Sequence, residues 1–357
     1  MKQWLHLNDR KYALSQIAHI KPQSAFEEVT LQFIDDWLHG KEVFEQKTSG
    51  STGSPKRIKI TRKQMETSAQ MTIQALNIKQ GQNALLCMSP TFIAGKMMIV
   101  RALSNNMSIC AIEPQANPYL PLSTKIHFSA MTPMQMHTAL EHKESVDKVG
   151  QTDIIILGGG SVSEPLRKKI QGMSPAVYET YGMTETVSHV AIKPLNGPEA
   201  SDYFQCLDNI TIRTDDRQCL VVSGPVTDYK EVTTNDRVKI IANNRFQWLG
   251  RVDNVINSGG IKIQSELVEQ KIQQLIDQLQ LDVDFFVSGI PDNILSEKVT
   301  LFVESADILD TDKLLSLLKT QLNTYEVPRE VITVKSFART QTGKIQRQQS
   351  IQKALNQ

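Results

Sequence analysis

The chain has 357 residues, of which 40% are hydrophobic and 22% charged, and its formal net charge at pH 7 is +1. The length allows one large domain and one small domain, and the composition excludes a disordered chain or one dominated by membrane segments. The near-neutral charge provides no overall basic field, so nucleic acid is not expected as a partner.

The amino-terminal stretch MKQWLHLNDRKYAL lacks the continuous apolar run and small-residue cleavage site of a secretion signal. An uncharged apolar run of about 18 residues, the length needed to span a membrane, is absent from the sequence. Four cysteines lie at spacings that fit neither a zinc site nor a disulfide framework, namely Cys87, Cys110, Cys206 and Cys219. We predict a cytoplasmic protein with reduced, mostly buried cysteines, and we leave open whether it forms a homodimer.

Alternating strand and helix patterns fill the first half of the chain. Short apolar runs bounded by Gly, Pro or Ser predict buried strands at 84–88, 128–131 and 154–157. Residues 65–76 carry apolar side chains at helical spacing, and Thr61 with Gln64 predicts a capping box that starts this helix. The alternation predicts a layered α/β domain.

The pattern changes from about Asp208, where short polar and apolar alternations separated by turn residues predict a β-rich part. After residue 253, a long helical pattern, two strands, a second helix and a further strand predict a compact α+β unit of about 100 residues. We therefore predict a large domain over 1–252, with its β-rich part at about 203–252, and a small mobile domain over 253–357.

A polar loop at residues 48–56 concentrates hydroxyl groups, glycines and a terminal lysine. Such a loop can wrap polyphosphate, because glycine lets the backbone approach closely, hydroxyl and N–H groups donate to oxygens, and lysine offsets charge. The spacing is not that of a Walker A loop, and a flexible linker is the alternative. The candidate phosphate-binding residues are Thr48, Ser49, Gly50, Ser51, Thr52, Gly53 and Lys56.

Three further motifs follow this loop along the chain. They are the YGMTE segment at 181–185, the GRVD segment at 250–253 with the SGG segment at 258–260, and the RTQTGKI segment at 339–345. In this order, the four motifs resemble the signatures of the adenylate-forming superfamily of acyl-CoA synthetases, adenylation domains and luciferases. The resemblance covers residues 48–347, and the longer region that the family usually carries before the phosphate loop is shortened here.

The resemblance implies roles for residues at the nucleotide. The loop at 48–56 would hold the β- and γ-phosphates of ATP, and Gly159 and Gly160 would lie between adenine and the acyl pocket. Tyr181 would stack on adenine, Thr184 would contact the α-phosphate and Glu185 would bind Mg²⁺, choices that suit an aromatic face and a hard cation. An ordinary strand and turn is the alternative for 181–185.

The resemblance also implies roles near the ribose and in the small domain. Asp236 would accept the ribose hydroxyls, with Arg251 near the same sugar, although the family has glycine where this chain has Asn235. Lys344 would bridge the carboxylate and the α-phosphate during adenylation. Asp253 would be the hinge between the adenylation and thioester-forming poses. A surface aspartate and a solvated lysine are the alternatives for Asp236 and Lys344.

Coenzyme A and the acid are assigned by the same resemblance. The segment formed by Ser258, Gly259 and Gly260 would line the pantetheine channel. The run after YGMTE, together with the segment from Ser89 to Arg101, resembles o-succinylbenzoate:CoA ligases, whose substrate carries two carboxylates. The second carboxylate needs a cationic or hydrogen-bonding partner in an apolar pocket. The candidates are Arg101, Lys96 and His189, each of which has an ordinary structural role as the alternative.

The function predicted from these motifs is an ATP-dependent acid:CoA ligase that forms an acyl-AMP and then an acyl-CoA, with o-succinylbenzoate as the acid and ATP, Mg²⁺ and coenzyme A as cosubstrates and cofactor. Two alternatives stay open: transfer of the acyl group to a carrier-protein thiol, and an inert nucleotide-binding relative. The joint presence of Glu185, Asp236, Arg251 and Lys344 argues against the inert relative. The segment 92–94 departs from the family and lies where the acid would enter.

Overall fold

The structure is a computed structural model that describes residues 3–8, 10–47, 57–279, 281, 283–305, 309–340 and 343–356. The chain divides into two compact units. The first contains Met1–Ile212, Val222–Val232 and Ile241–Phe246, and the second contains Arg213–Val221, Thr233–Ile240 and Gln247–Gln357. The predicted domain boundary at residue 253 stays a prediction, because the two units interleave along the chain before this residue.

The first unit alternates strands and helices, as the sequence predicts. Its strands are β1 (Trp4–Leu7), β2 (Arg10–Ala13), β3 (Val43–Lys47), β4 (Arg57–Thr61), β5 (Asn83–Leu86), β6 (Ser108–Ala111), β7 (Phe128–Met131), β8 (Ile154–Leu157), β9 (Ala176–Gly182), β10 (His189–Pro194) and β11 (Phe204–Cys206). Its helices are α1 (Ala25–Leu38), α2 (Arg62–Ala75), α3 (Ile93–Ser104), α4 (Pro133–Glu141), α5 (Lys143–Gly150) and α6 (Glu164–Gln171).

A twisted sheet forms the centre of this unit, with strand order β11-β10-β9-β8-β7-β5-β6-β1-β2. Strands β1, β5, β6, β7, β8 and β9 pair in parallel, whereas β10 and β11 continue the sheet in antiparallel fashion. The carboxyl ends of the parallel strands therefore lie at one edge of the sheet, which is where open α/β sheets bind ligands.

Helix α2 begins as predicted. The Thr61 side chain accepts from the Gln64 N–H at 3.2 Å, and the Gln64 side chain accepts from the Thr61 N–H at 2.9 Å. The two bonds satisfy free donors of the first turn. Met65, Ala69 and Thr72 are buried on the face that packs inward. This face brings Thr72 to the candidate site.

The amino-terminal hairpin β1–β2 joins the sheet beside β6, which the sequence analysis does not predict. The buried carboxylate of Glu27 on α1 accepts from Arg10, from the Asn8 side chain at 3.1 Å and from the Gln23 N–H at 2.8 Å. Burial acts to raise the pKa of Glu27, but these donors outweigh it and lower the pKa. The charged group thus ties α1 to the hairpin.

Strands follow one another through residues 211–251. They are β12 (Thr211–Thr214), β13 (Cys219–Ser223), β14 (Val232–Ala242) and β15 (Arg245–Arg251), which neighbour one another in this order. A 3₁₀ turn at Val252–Asn254 follows β15. The β-rich character predicted from about residue 208 is thus observed.

The rest of the second unit is a small α+β body. Its elements are β16 (Val255–Ser258), β17 (Ile261–Gln264), α7 (Ser265–Gln278), β18 (Asp284–Asp292), β19 (Ser296–Glu304), α8 (Thr311–Gln321), β20 (Glu330–Val334) and α9 (Arg347–Leu355). The sheet has the order β17-β16-β19-β18, and β20 pairs with β19. An apolar core shared by α7, α8 and this sheet holds it together. The predicted fold class, a large layered α/β domain with a smaller α+β domain, is confirmed.

All four cysteines are free and buried, as predicted. Burial raises the pKa of the Cys87 thiol to about 12. Within the described part of the chain, no helix is long and apolar enough to cross a membrane.

Candidate active site

The loop that follows β8 lies at the carboxyl edge of the sheet. Gly158 is packed closely, because a Cβ there would lie 2.7 Å from the Thr180 hydroxyl oxygen, which itself donates to the Leu157 carbonyl at 2.9 Å. Gly159 and Gly160 are exposed, and a Cβ on either would have no neighbour within 4 Å. The loop is therefore fixed at its start and open where a flat ligand would approach.

Tyr181 lies near the end of β9 in an aromatic cluster. Its ring centroid is 5.1 Å from that of Phe246 in an edge-to-face arrangement and 5.8 Å from that of Phe204. The cluster leaves only 9% of the Tyr181 residue surface exposed. These contacts fix the ring position, and stacking on adenine stays a prediction.

A tight turn follows β9 and carries Thr184 and Glu185. Thr186 closes the turn, because its hydroxyl accepts from the Met183 N–H at 3.0 Å and donates to the Ser188 carbonyl at 2.8 Å. Thr184 is half-buried in a short 3₁₀ helix, and the Glu185 carboxylate is exposed. The turn therefore presents a carboxylate to solvent at the carboxyl edge.

Val187 gives this turn an unusual backbone. Its φ of 66° and ψ of −54°, with a 2.7 Å hydrogen bond from the Ser188 N–H to the Thr186 carbonyl, form a γ-turn of the rare, strained kind. A β-branched residue seldom adopts positive φ. After this turn, the Ser188 hydroxyl lies within hydrogen-bonding distance of Arg101 on helix α3.

Arg101 of α3 is the centre of a buried polar cluster. Its Nε donates to the Thr72 hydroxyl at 3.2 Å, and its Nη2 donates to the Ser188 hydroxyl at 2.6 Å. Only 2% of its surface is exposed. Burial lowers the pKa of Arg101 to about 10, so the guanidinium stays charged at neutral pH.

His189 shares this cluster. Its Nδ1 lies 3.4 Å from Nη2 of Arg101, and its Nε2 lies 3.1 Å from the Thr72 hydroxyl, which donates onward to the Ser68 carbonyl at 3.0 Å. Because Arg101 can only donate, Nδ1 accepts and Nε2 carries the proton. Burial and the neighbouring guanidinium lower the pKa of His189 well below its ordinary value, so the imidazole is neutral.

The cluster therefore holds a buried positive charge among neutral partners. Among the described residues, no carboxylate forms a salt bridge with Arg101. A buried cation is costly unless an anion or enough hydrogen-bond acceptors compensate it. Binding of an anionic ligand by Arg101 stays a prediction.

Lys96, the third candidate for the acid, lies elsewhere on α3. Its ammonium donates to the Gln46 side chain at 2.8 Å and to the Glu45 carbonyl at 3.2 Å, both on β3. Burial, with the nearby Lys41 charge, lowers its pKa. The structure thus brings Arg101 and His189 together and uses Lys96 to hold the strand that leads into residues 48–56.

The phosphate-loop candidates lie outside the described residues. They are Thr48, Ser49, Gly50, Ser51, Thr52, Gly53 and Lys56. Their role stays a prediction.

In the second unit, the structure brings Asp236 and Arg251 together. The buried Asp236 accepts from the Trp248 indole N–H at 3.3 Å, and Nη1 of Arg251 lies 3.7 Å from the same carboxylate oxygen. Arg251 also donates to Asp253 at 2.6 Å. The predicted ribose pair and the predicted hinge residue therefore form one charged group.

Lys344 directly precedes Ile345, which forms an isolated antiparallel bridge with Arg339. Its N–H donates to the Thr340 hydroxyl at 3.1 Å, and its carbonyl accepts from the Thr340 N–H at 2.9 Å. Although Lys344 is exposed, nearby protein atoms reduce the hydration of its ammonium and lower its pKa, and Arg251 lowers it further, whereas Asp236 acts in the opposite direction. The lysine is thus electrostatically coupled to the Asp236–Arg251 pair.

The Ser258, Gly259 and Gly260 segment is the turn of the β16–β17 hairpin. Ser258 faces Ile261 across the turn, and the two glycines have φ of 60° and 83°, as a two-residue type I′ turn requires. The Gly259 N–H donates to the Leu295 carbonyl at 2.7 Å. A role in a pantetheine channel stays a prediction.

Sequence reasoning misses Thr72 and Ser188, which contact Arg101 in the first unit, and Glu266 in the second unit. Glu266 is 7% exposed and accepts from the Arg251 N–H at 3.2 Å and from the Asn254 side chain, so it holds the 3₁₀ turn. The one sign of this contact in the sequence is the glycine at Gly250, because a Cβ there would overlap a Glu266 carboxylate oxygen.

Comparison with known proteins decides the family. A solved acyl-CoA synthetase (AMP-forming)/AMP-acid ligase II-like protein from Dyadobacter fermentans is 40% identical, with a TM-score of 0.64 over 95% of this chain and 98% of that one. The sequence profile of the AMP-binding enzyme family matches residues 43–212. The chain belongs to the AMP-binding enzyme family.

Two further proteins are similar at lower identity. The 2-succinylbenzoate–CoA ligase of Listeria monocytogenes is 24% identical over 88% of this chain and 71% of its own length. The o-succinylbenzoate coenzyme A synthetase of Bacillus subtilis, solved with ATP and a magnesium ion, is 20% identical, with a TM-score of 0.73 over 86% of this chain and 69% of that one. This second likeness shows the fold.

The predicted family, enzyme class and resemblance to o-succinylbenzoate:CoA ligases are thereby confirmed. The individual site residues and the acid are not tested by these comparisons and stay predictions.

Proposed function

We propose that this AMP-binding enzyme is an ATP-dependent acid:CoA ligase that converts o-succinylbenzoate to o-succinylbenzoyl-CoA in menaquinone biosynthesis, in the cytoplasm. The names of the Listeria and Bacillus relatives support this acid. The observation that carries the proposal is the buried guanidinium of Arg101, which the described residues surround with neutral hydrogen-bonding partners.

The second carboxylate of o-succinylbenzoate supplies the anion that this cluster lacks. Arg101 would bind it with a charge-assisted hydrogen bond, and Ser188 and the neutral His189 would fix the guanidinium in place. A monocarboxylic acid would leave the buried cation uncompensated, which disfavours its binding. The cluster would therefore favour the binding of a dicarboxylic acid over that of a monocarboxylic acid.

The reaction proceeds in two steps under this proposal. An oxygen of the other carboxylate attacks the α-phosphorus of ATP, forming the acyl-AMP and releasing pyrophosphate. The thiolate of coenzyme A then attacks the acyl carbonyl, and AMP leaves with the oxygen that joined it to the acyl group. Lys344 and Thr184 would stabilise the negative charge that develops during the first step.

Nucleotide binding would use the residues that the family resemblance assigns to adenine, ribose and phosphates. Gly159, Gly160 and Tyr181 would contact adenine, Asp236 and Arg251 the ribose, and the loop at 48–56 the phosphates. Rotation about Asp253 would then replace Lys344 by the hairpin turn at 258–260 for thioester formation.

Magnesium would be bound through Glu185 and the phosphates. Among the described residues, no group of three or more His, Cys, Asp or Glu side chains could hold a metal ion. A single carboxylate together with phosphate oxygens fits Mg²⁺, which usually keeps several waters and binds one or two carboxylates with substrate phosphates. When bound, the ion would neutralise charge on the phosphates.

A pyrophosphate-release screen tests the acid. Purified protein is mixed with ATP, Mg²⁺ and either o-succinylbenzoate, benzoate, 2-methylbenzoate or a fatty acid, each with and without coenzyme A. We expect the highest kcat/KM with o-succinylbenzoate, and continuous AMP release only with coenzyme A. Faster release with a monocarboxylic acid would contradict the acid, and AMP release that requires a holo-carrier protein would contradict the acceptor.

A further inference from the structure

We propose that Asn235 acts as a positioning residue that latches the hinge carboxylate of Asp253. This inference rests on the proposed function, since it takes Asp253 as the hinge. The Asn235 side-chain amide donates to both oxygens of Asp253, at 3.3 Å each. Asn235 belongs to β14, and Asp253 begins the segment that would rotate.

Arg217 fixes the orientation of the Asn235 amide. Its Nη1 donates to the Asn235 side-chain oxygen at 3.1 Å, its Nη2 donates to the Thr234 carbonyl at 3.2 Å, and its Nε donates to Asp215 at 3.0 Å. The amide oxygen accepts from a cation and the NH₂ group faces a carboxylate. A flipped amide would place its NH₂ group against the Arg217 cation and its oxygen against the Asp253 carboxylate. The observed orientation is therefore the favoured one.

The family pattern that this chain resembles has glycine where Asn235 lies, and a glycine has no side chain that could reach the hinge. On its other side, Asp253 is bound by Arg251, which also lies 3.7 Å from the predicted ribose ligand Asp236. The hinge carboxylate therefore lies between the latch and the predicted nucleotide pair.

Rotation about Asp253 moves its carboxylate relative to β14 and would break the latch. The contacts are solvent-exposed, so they contribute little to the stability of the fold, but a small free-energy difference suffices to shift a two-pose equilibrium. The latch exists in the arrangement in which Lys344 is coupled to Asp236 and Arg251. Asn235 is therefore expected to favour the adenylation pose over the thioester-forming pose.

Two variants and a matched control test the latch in the full chain. Asn235→Ala removes the amide. Asn235→Asp keeps an acceptor for Arg217 but places a negative charge against Asp253. The control is Asn293→Ala, which removes an exposed asparagine side chain in the turn before β19.

The first measurement is amide hydrogen exchange at residues 253–255, which needs no substrate. We expect exchange about threefold to fivefold faster in Asn235→Ala, and at least as fast in Asn235→Asp, because an exposed hydrogen bond to a charged group contributes on this scale. The Asn293→Ala control should match the wild type. Wild-type exchange rates in both Asn235 variants would overturn the latch.

The second measurement separates the half-reactions in single turnovers. We expect acyl-AMP formation in Asn235→Ala to slow by a similar factor, while thioester formation from supplied acyl-AMP is unchanged or faster. An equal loss in both halves would indicate a general structural role and overturn the inference. If the wild type forms no acyl-AMP with any acid, the proposed function fails, and the exchange rates still decide whether the latch exists.

Discussion

Replacing Lys344 by alanine is expected to slow acyl-AMP formation by about 10²–10³-fold, the usual effect of removing one preorganised donor to a developing negative charge. Thioester formation from supplied acyl-AMP should keep its wild-type rate, because Lys344 is expected to act in the first step alone. Single-turnover assays of the two halves measure both rates.

Lys335→Ala is the matched control, since it removes an exposed lysine from the same small unit. Its two half-reactions should both match the wild type. An acyl-AMP formation rate in Lys344→Ala close to that of this control would show that the lysine assignment is wrong.

Adenylation by the wild type should also depend on the ionisation of Lys344. Nearby protein atoms that reduce hydration, together with the Arg251 charge, lower the pKa of this ammonium. The charged form is therefore lost at a lower pH than for an ordinary lysine. As the pH rises, the adenylation rate should therefore begin to fall at a lower pH than it would with a lysine of ordinary pKa. The Lys344→Ala variant should not show this fall.

Replacing Arg101 by methionine is expected to lower kcat/KM for o-succinylbenzoate by about 10–100-fold, the effect of losing a hydrogen bond between charged groups. Methionine fills most of the same volume and removes a buried charge, so the fold should keep its stability. Steady-state kinetics and thermal unfolding measure the two effects.

The comparison acid in this experiment is 2-methylbenzoate, which lacks the second carboxylate. Its kcat/KM should be unchanged or higher in Arg101→Met, because the uncompensated cation is gone. A loss of the same size for both acids would contradict a role in selecting the dicarboxylate. Arg101→Lys should recover only part of the activity, since an ammonium cannot reproduce the fixed guanidinium fork that binds Thr72 and Ser188.

Local signals predicted much of the fold. The capping pair Thr61 and Gln64 determines the start of α2 through bonds between residues three apart, and short apolar runs predict β7 and β8 with the observed bounds. The β1–β2 hairpin was not predicted, because its place beside β6 depends on pairing between residues about 100 positions apart. Such pairing leaves no local pattern.

The candidate site was predicted only in part, again because some of its contacts join residues that are distant in the sequence. The motifs identified Arg101 and His189, and the structure places them together, but the motifs placed Lys96 in the same group although it binds β3. Thr72 and Ser188 complete the cluster from distant positions in the sequence. Positive φ at Val187 could not be expected from a β-branched residue.

The central claim is that this AMP-binding enzyme activates its acid as an acyl-AMP, and oxygen transfer tests it most directly. The acid that the screen identifies is labelled with ¹⁸O in the carboxylate and allowed to react with ATP and coenzyme A, and the products are analysed by mass spectrometry. The account predicts one ¹⁸O atom in AMP and none in pyrophosphate. Unlabelled AMP, or ADP with labelled phosphate, would contradict it.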